Sequence, residues 1–111
     1  MKIIKKEGHS VKVESAHNGA STRKLFVDND EVKNVQGITV TWLKPGDKND
    51  WHNHADCNEC MFVVKGKGVV ADEDGEYEFK AGDFFIFPMG VYHSQHNTGR
   101  SVMEAVFIRT K

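Results

Sequence analysis

Residues 46–66 read GDKNDWHNHADCNECMFVVKG, and this stretch gives the strongest indication of both fold and chemistry. Two histidines, a glutamate and two cysteines fall within nine residues, 52–60. Alternate side chains of an extended strand point to the same side, so His52 and His54 direct their imidazoles toward one point. Imidazole with carboxylate suits a divalent ion of borderline hardness, so Glu59 on the same face would add a third ligand for iron, manganese, nickel, zinc or copper. A fourth ligand must come from elsewhere in the chain.

Length and charge limit the classes of protein that the chain can represent. Its 111 residues predict one domain, 1–111, with a single core. Fifteen basic and sixteen acidic residues leave a formal charge of −1 without a basic run, which disfavours nucleic-acid binding. The sequence contains neither the apolar core of a signal peptide nor a membrane span, so we expect a cytoplasmic protein with no membrane partner. Cys57 and Cys60 are then expected to be reduced thiols.

Short segments rich in valine, isoleucine, phenylalanine and threonine, separated by turn residues, predict a nearly all-β chain. Asp74-Gly75 is the strongest hairpin signal. About ten short strands in so small a domain favour a sandwich or a closed barrel. The expected strands lie at 2–6, 11–14, 21–27, 38–42, 60–64, 69–71, 77–79, 84–87, 91–96 and 101–109.

Two strands next to residues 46–66 are expected to face the interior. In 38–42 the apolar side chains alternate with threonines, which predicts that the apolar ones are buried. In 60–64 both faces are apolar, and a ligating Glu59 would make its own face the inner one. The expected inner residues are Ile38, Val40 and Trp42 on the first strand, and Glu59, Met61 and Val63 on the second.

His93 is the candidate for the fourth ligand, because it follows a Pro88-Met89-Gly90 turn and lies in a strand where Gln95 shares its face. Two blocks of residues then resemble a known family. Gly46-x5-His52-x-His54-x4-Glu59-x6-Gly66 resembles the first motif of the cupins, at 46–66. Gly82-x5-Pro88-x-Gly90-x2-His93-x3-Asn97 resembles the second, at 82–97, and fifteen residues separate the two blocks.

The resemblance implies an all-β double-stranded β-helix, or jelly-roll barrel, that holds one divalent metal ion through His52, His54, Glu59 and His93. Four protein ligands on an octahedral ion leave two positions for water, dioxygen or substrate. The glycines of the motifs fit tight turns that require positive φ. The alternative is a cupin scaffold that has lost its metal.

Other residues are weaker candidates for the site. Gln95, inward and polar, is the best non-ligand pocket residue because an inward amide needs a partner. Arg23 is a candidate for holding a substrate carboxylate, with an ordinary surface charge as the favoured alternative. Met61 and Trp42 are expected to be core residues that also line the pocket. Cys57 and Cys60 with the two histidines offer a zinc or redox alternative, but the pairs are too close in sequence. His9 and His17 are expected to be solvated surface histidines.

The resemblance implies a metal-dependent enzyme acting on an oxygen-rich small molecule, as a dioxygenase, an isomerase, or a lyase or decarboxylase. A non-catalytic ligand-binding or sensor cupin is the alternative, because the fold does not decide the function. Outward apolar side chains on 60–64 and 84–87 also predict a homodimer.

Overall fold

The computed structural model describes residues 2–111, so Met1, the first residue of the predicted domain, lies outside the described residues. Nine strands in two antiparallel sheets make up about half of this part of the chain. Two short 3-10 turns, Gly8–Ser10 and His17–Gly19, interrupt its first twenty residues. The all-β prediction is confirmed. The strands are β1 (Val13–Ala16), β2 (Ser21–Val27), β3 (Val35–Leu43), β4 (Asn58–Lys65), β5 (Lys67–Ala71), β6 (Glu76–Lys80), β7 (Phe84–Phe87), β8 (Ser94–Asn97) and β9 (Met103–Thr110).

The larger sheet has the strand order β1-β2-β3-β9-β4-β7 and the smaller one β6-β5-β8. Residues 46–52 run beside β8 and extend the smaller sheet through backbone bonds, including Asn49 N to Gln95 O at 2.9 Å. Isolated bridges join Lys48 to His96 and His52 to His93. The two predicted motif regions are therefore paired directly by their backbones, although paired residues such as His52 and His93 lie about forty positions apart in sequence.

The expected strands 21–27 and 84–87 coincide with β2 and β7. The expected strand at 2–6 is wrong, because these residues form no strand and the side chains of Ile3 and Ile4 are 98% and 78% exposed. A strand is stabilised by neighbours on its faces and edges, and this segment has neither, so its β propensity has no effect.

The face of β3 that was expected to be buried is the wrong one. Burial along β3 falls on Thr39, Thr41 and Leu43, whereas Ile38, Val40 and Trp42 are only partly buried on the opposite face. Hydrophobicity alone chose the more apolar face. The inner face is polar because it borders a cavity. The hydroxyls of Thr39 and Thr41 lie 3.2 Å apart and form a hydrogen bond with each other.

The inner face of β4 is as predicted, with Glu59, Met61 and Val63 buried and Phe62 and Val64 exposed. Glu59 lies at one end of this face and the apolar residues follow it into the core. The core is a single cluster of buried apolar side chains: Leu43, Met61, Val63, Val70, Phe79, Phe87, Met103, Ala105 and Phe107.

The glycines of the two motifs occupy turns in the left-handed region, as expected, with φ from 84° to 94°. Gly66, between β4 and β5, has a second constraint. A Cβ at this position would lie 2.9 Å from the Cα of Met103, so the close approach of β9 also excludes a side chain. The turn therefore fixes where β4 leaves the larger sheet.

Candidate metal site

Three separate parts of the fold bring the four predicted ligands together. His52 and His54 lie in the segment that leads into β4, Glu59 is on the inner face of β4, and His93 directly precedes β8. Backbone bonds hold the parts in place: His52 and His93 exchange N–H···O bonds of 3.1 and 2.8 Å, and Gly90 N donates to His54 O at 2.8 Å. The turn before His93 thus positions the first pair of histidines.

One ligand atom from each of the four residues lies within 4.8 Å of the others. Nε2 of His54 is 3.3 Å from Oε2 of Glu59, and Nε2 of His93 is 3.4 Å from its Oε1. His93 is 1% exposed and Glu59 6%, so the site is closed on this side and open toward His52 and His54. The donor atoms are therefore close enough to one another to bind a single ion.

Backbone carbonyls orient two of the imidazoles. Nδ1 of His52 donates to Asp50 O at 2.6 Å, and Nδ1 of His93 donates to Val91 O at 2.9 Å. Because a carbonyl can only accept, each Nδ1 carries a proton, so the lone pair of the neutral imidazole is on Nε2. The ring of His93 also stacks on Phe87, with centroids 4.1 Å apart. These contacts prepare both rings to bind a cation through Nε2.

The electrostatics of the site keep the carboxylate ionised. Burial raises the pKa of Glu59, but the adjacent His54 and His93 outweigh it and lower that pKa to about 2. Burial also lowers the pKa of His52, and the charges of His93 and His54 act in the same direction. An ionised Glu59 and a His52 imidazole that resists protonation are the states in which these two groups bind a metal.

Two observations show that a metal fits this group. Nε2 of His54 and Nε2 of His93 are buried without hydrogen-bond partners, a costly state for polar atoms unless something binds them. Three imidazoles and one carboxylate are also a donor set for a divalent transition metal. Cys57 and Cys60 do not belong to this group. Cys57 is fully buried, which together with Asp56 raises the pKa of its thiol, and Cys60 lies on the outer side of β4.

A cavity of about 40 Å³ is lined by three of the four residues, His52, His54 and Glu59. Arg23, for which a surface charge was the favoured interpretation, lines the cavity, and its Nε also pairs with Oε1 of Glu14 at 3.0 Å. Arg109 lines it too and was missed. A Cβ on Gly37 would lie 2.8 Å from Nη2 of Arg109, so this glycine leaves room for the guanidinium. The sequence did contain a signal, because Arg109 continues the inward series Met103, Ala105, Phe107 of β9.

His17 was expected on the surface, and this expectation is wrong. It lies in the turn between β1 and β2, is partly buried, lines the cavity, and its ring centroid is 4.5 Å from that of His52. Burial and the neighbouring His52 lower its pKa to about 4. A turn residue gives no periodic signal, so only the folded chain reveals this position. His9 is exposed, as expected.

Of the other predicted pocket residues, only Gln95 lines the cavity. It is 1% exposed, and its Oε1 accepts a hydrogen bond of 2.8 Å from Nδ2 of Asn49, a further cavity residue that was missed. Met61 is fully buried in the core. Trp42 lies on the other face of β3, where its Nε1 donates to Oε1 of Glu104 at 2.7 Å. Trp42 is therefore not part of the cavity wall.

Comparison with known proteins agrees with this geometry. A model of the cupin domain matches residues 39–109, well over half of the chain. The chain belongs to the cupin family. The matched region contains the four metal-binding candidates and ends at Arg109, whereas His17 and Arg23 lie before it.

The chain is also similar to individual proteins and solved structures. An uncharacterized protein of Methanocaldococcus jannaschii is 27% identical over 99 residues, 89% of this chain and 79% of that protein. A Thermotoga maritima protein described as oxalate-binding is 34% identical over 62 residues, 56% of this chain and about half (51%) of that protein. A crystal structure of a predicted oxalate decarboxylase from Thermotoga maritima superposes with a TM-score of 0.85 at 22% identity, covering 94% of this chain and 96% of that one. The last comparison confirms the cupin jelly-roll fold.

Within residues 2–111, no helix has both the length and the apolar character that a membrane span requires.

Proposed function

We propose that this cupin binds one divalent transition-metal ion through His52, His54, Glu59 and His93, and uses it to bind and transform a small carboxylate. The observation that carries the proposal is the convergence of four donors within 4.8 Å, two of them unpartnered imidazole nitrogens, beside a cavity lined by two arginines. Iron, manganese, nickel, zinc and copper all suit this donor set.

The arginines favour a carboxylate among oxygen-rich ligands. Arg23 and Arg109 place two guanidinium groups around a small cavity, and a guanidinium binds a carboxylate through two parallel hydrogen bonds. Two coordination positions left open by four protein ligands suit an oxygen of the same molecule. The metal would supply Lewis acidity or a site for dioxygen, according to whether the reaction is an isomerisation, a decarboxylation or an oxygenation.

A second candidate is a cupin that binds such a ligand without transforming it. The relative described as oxalate-binding favours this alternative, since its description contains no reaction. The cavity holds one titratable side chain besides the arginines and the proposed ligands, His17, which is the available proton carrier for an enzyme. The two candidates share every prediction about binding and differ in turnover.

The test begins with elemental analysis of protein purified without a histidine tag, where we expect close to one ion per chain. Calorimetry then compares propionate with propionamide, and we expect the acid to bind to the metal-loaded protein only. Arg109→Gln should weaken that binding about tenfold or more, because a charge-assisted pair is lost. Arg100→Gln, an exposed arginine away from the cavity, is the matched control.

Turnover separates the two candidates. The iron, manganese and nickel forms are incubated with small keto, hydroxy and dicarboxylic acids, and oxygen consumption and products are measured. We expect an enzyme to form product, and His17→Gln to reduce product formation without changing ligand affinity. This result would favour the enzyme. Tight binding without product across the panel would favour the binding protein, and protein without metal or acid binding would contradict both.

A further inference from the structure

Five buried side-chain polar atoms in residues 2–111 have no hydrogen-bond partner, and all five belong to residues around the metal site. Two are the imidazole nitrogens that the proposed metal would bind. The other three are Oγ of Ser21, Oδ1 of Asn49 and Nε2 of Gln95. Their residues are 2%, 4% and 1% exposed and line the cavity. Buried polar atoms are nearly always hydrogen-bonded, so a cluster of three requires an explanation.

Asn49 and Gln95 form a fixed pair. Nδ2 of Asn49 donates to Oε1 of Gln95 at 2.8 Å, and the backbone N–H of Asn49 donates to the carbonyl of Gln95 at 2.9 Å. The remaining atoms of the two amides are one acceptor, Oδ1 of Asn49, and one donor, Nε2 of Gln95. Reversing both amides exchanges the roles and again leaves one donor and one acceptor. The pair therefore presents both kinds of group in either orientation.

The ligand group that matches one donor and one acceptor is a hydroxyl. It donates its proton to the free amide oxygen and accepts from the free N–H, and Ser21 can act in either sense. An ionised carboxylate cannot donate, and a methyl group satisfies neither atom. The cavity of about 40 Å³ restricts the ligand to a few non-hydrogen atoms.

We propose that Ser21, Asn49 and Gln95 form a hydroxyl-binding subsite, and that the ligands of this cupin are small hydroxycarboxylates. The inference rests on the proposed function, because the carboxylate end of the ligand is assigned to the metal and the arginines. Asn49 lies three residues before His52 and Gln95 two residues after His93, so the bridge between the two histidines places the subsite next to the metal. Ser21, Arg23 and Thr41 line the same cavity from the larger sheet.

The experiment measures how much a hydroxyl adds to affinity. Calorimetry on the zinc-loaded protein, in which the ion is redox-inert, compares 3-hydroxypropionate and lactate with propionate. We expect both hydroxy acids to bind about tenfold more tightly than propionate, since propionate leaves buried groups unsatisfied. The 2-hydroxyl of lactate also chelates metals by itself. The decisive quantity is therefore the change that each variant causes in the ratio of hydroxy-acid affinity to propionate affinity.

Gln95→Met keeps the size of the side chain and removes both polar atoms of its amide. It should bring the ratio of the affinities for 3-hydroxypropionate and propionate close to one. Ser21→Ala is a milder variant that preserves the fold if Gln95→Met does not, and it should lower the ratio about threefold or more. Thr22→Val is the control. It removes a hydroxyl from the opposite face of β2, outside the lining of the cavity, so the ratio should stay at the wild-type value.

Each outcome bears on a different statement. Metal-dependent binding of all three acids with the same ratio in wild type, Gln95→Met and Ser21→Ala would overturn the hydroxyl subsite, which would then hold water only. An equal fall of the ratio in Thr22→Val would also overturn it, because the preference would then not depend on groups that line the cavity. The absence of metal-dependent binding of any acid would overturn the proposed function together with this inference.

Discussion

β3 and β4 lie on either side of β9 and direct their inner side chains into the same interior, but the two inner faces differ in chemistry. On β4 a single carboxylate, Glu59, is followed at once by apolar residues. On β3 two threonines come before the first large apolar residue, Leu43. The polar region of the interior therefore extends further along β3, and the cavity is lined by Thr39 and Thr41 of β3 but only by Glu59 of β4.

The difference shows what alternation can and cannot predict. It groups side chains into two faces on both strands, because successive residues of a strand point to opposite sides. On β4 a candidate ligand identified the inner face. On β3 only hydrophobicity was available, and hydrophobicity selects the wrong face where a protein keeps a polar cavity inside. The following predictions test this contrast in order of expected effect.

The largest effect is expected for the carboxylate of β4. Glu59→Gln keeps the shape and removes the charge, so metal affinity should fall by more than about 100-fold, which exceeds the loss typical of groups that only orient a ligand. The measurement is elemental analysis together with competition against a chelator. Glu104→Gln, which alters a glutamate on the other face of β9, is the control and should keep its metal. Equal metal content in both variants would remove Glu59 from the site.

The next effect concerns stability, measured by urea unfolding of the metal-free protein. Met61→Ala, on the inner face of β4, should lower the free energy of unfolding by about 2–5 kcal/mol, because it leaves a cavity in the core. The double variant Thr39→Val with Thr41→Val, on the inner face of β3, should change it by less than about 1 kcal/mol, since both partners of one hydrogen bond are removed together. Similar losses in the two proteins would show that the β3 face is packed like the core.

The smallest effect is expected on the outer faces, where the homodimer remains a prediction. Ile38, Val40 and Trp42 of β3 are partly covered, whereas Phe62, Phe84 and Ile86 of β4 and β7 are 43%, 54% and 66% exposed. If these exposed side chains form the interface, Ile86→Lys should shift the protein toward monomer in size-exclusion chromatography with light scattering. Val32→Lys, at an apolar residue 48% exposed in the loop between β2 and β3, is the control. A wild-type protein that is monomeric at micromolar concentration would contradict the predicted homodimer.

Much of the fold and part of the site were open to prediction from sequence. The turn glycines, the Asp74-Gly75 hairpin and the β4 face follow from local rules, and the structure agrees with each. The strand expected at 2–6 failed because β propensity acts only where a neighbouring strand exists. Trp42 was assigned to the pocket because the wrong face of β3 was expected to be buried. Arg109 could have been found by extending the alternation of β9. His17 and Asn49 could not, because neither occupies a strand.

By itself the sequence determined the donor set of the proposed metal site and its division into two motifs, because these depend on residue type and on the two-residue period of a strand. Only the tertiary structure decided which side of β3 faces inward, that His17 approaches His52, and that Asn49 pairs with Gln95. The physical reason is that these contacts depend on which distant strands pair and in which register. Strand pairing and register depend on packing throughout the barrel rather than on the sequence of any one segment.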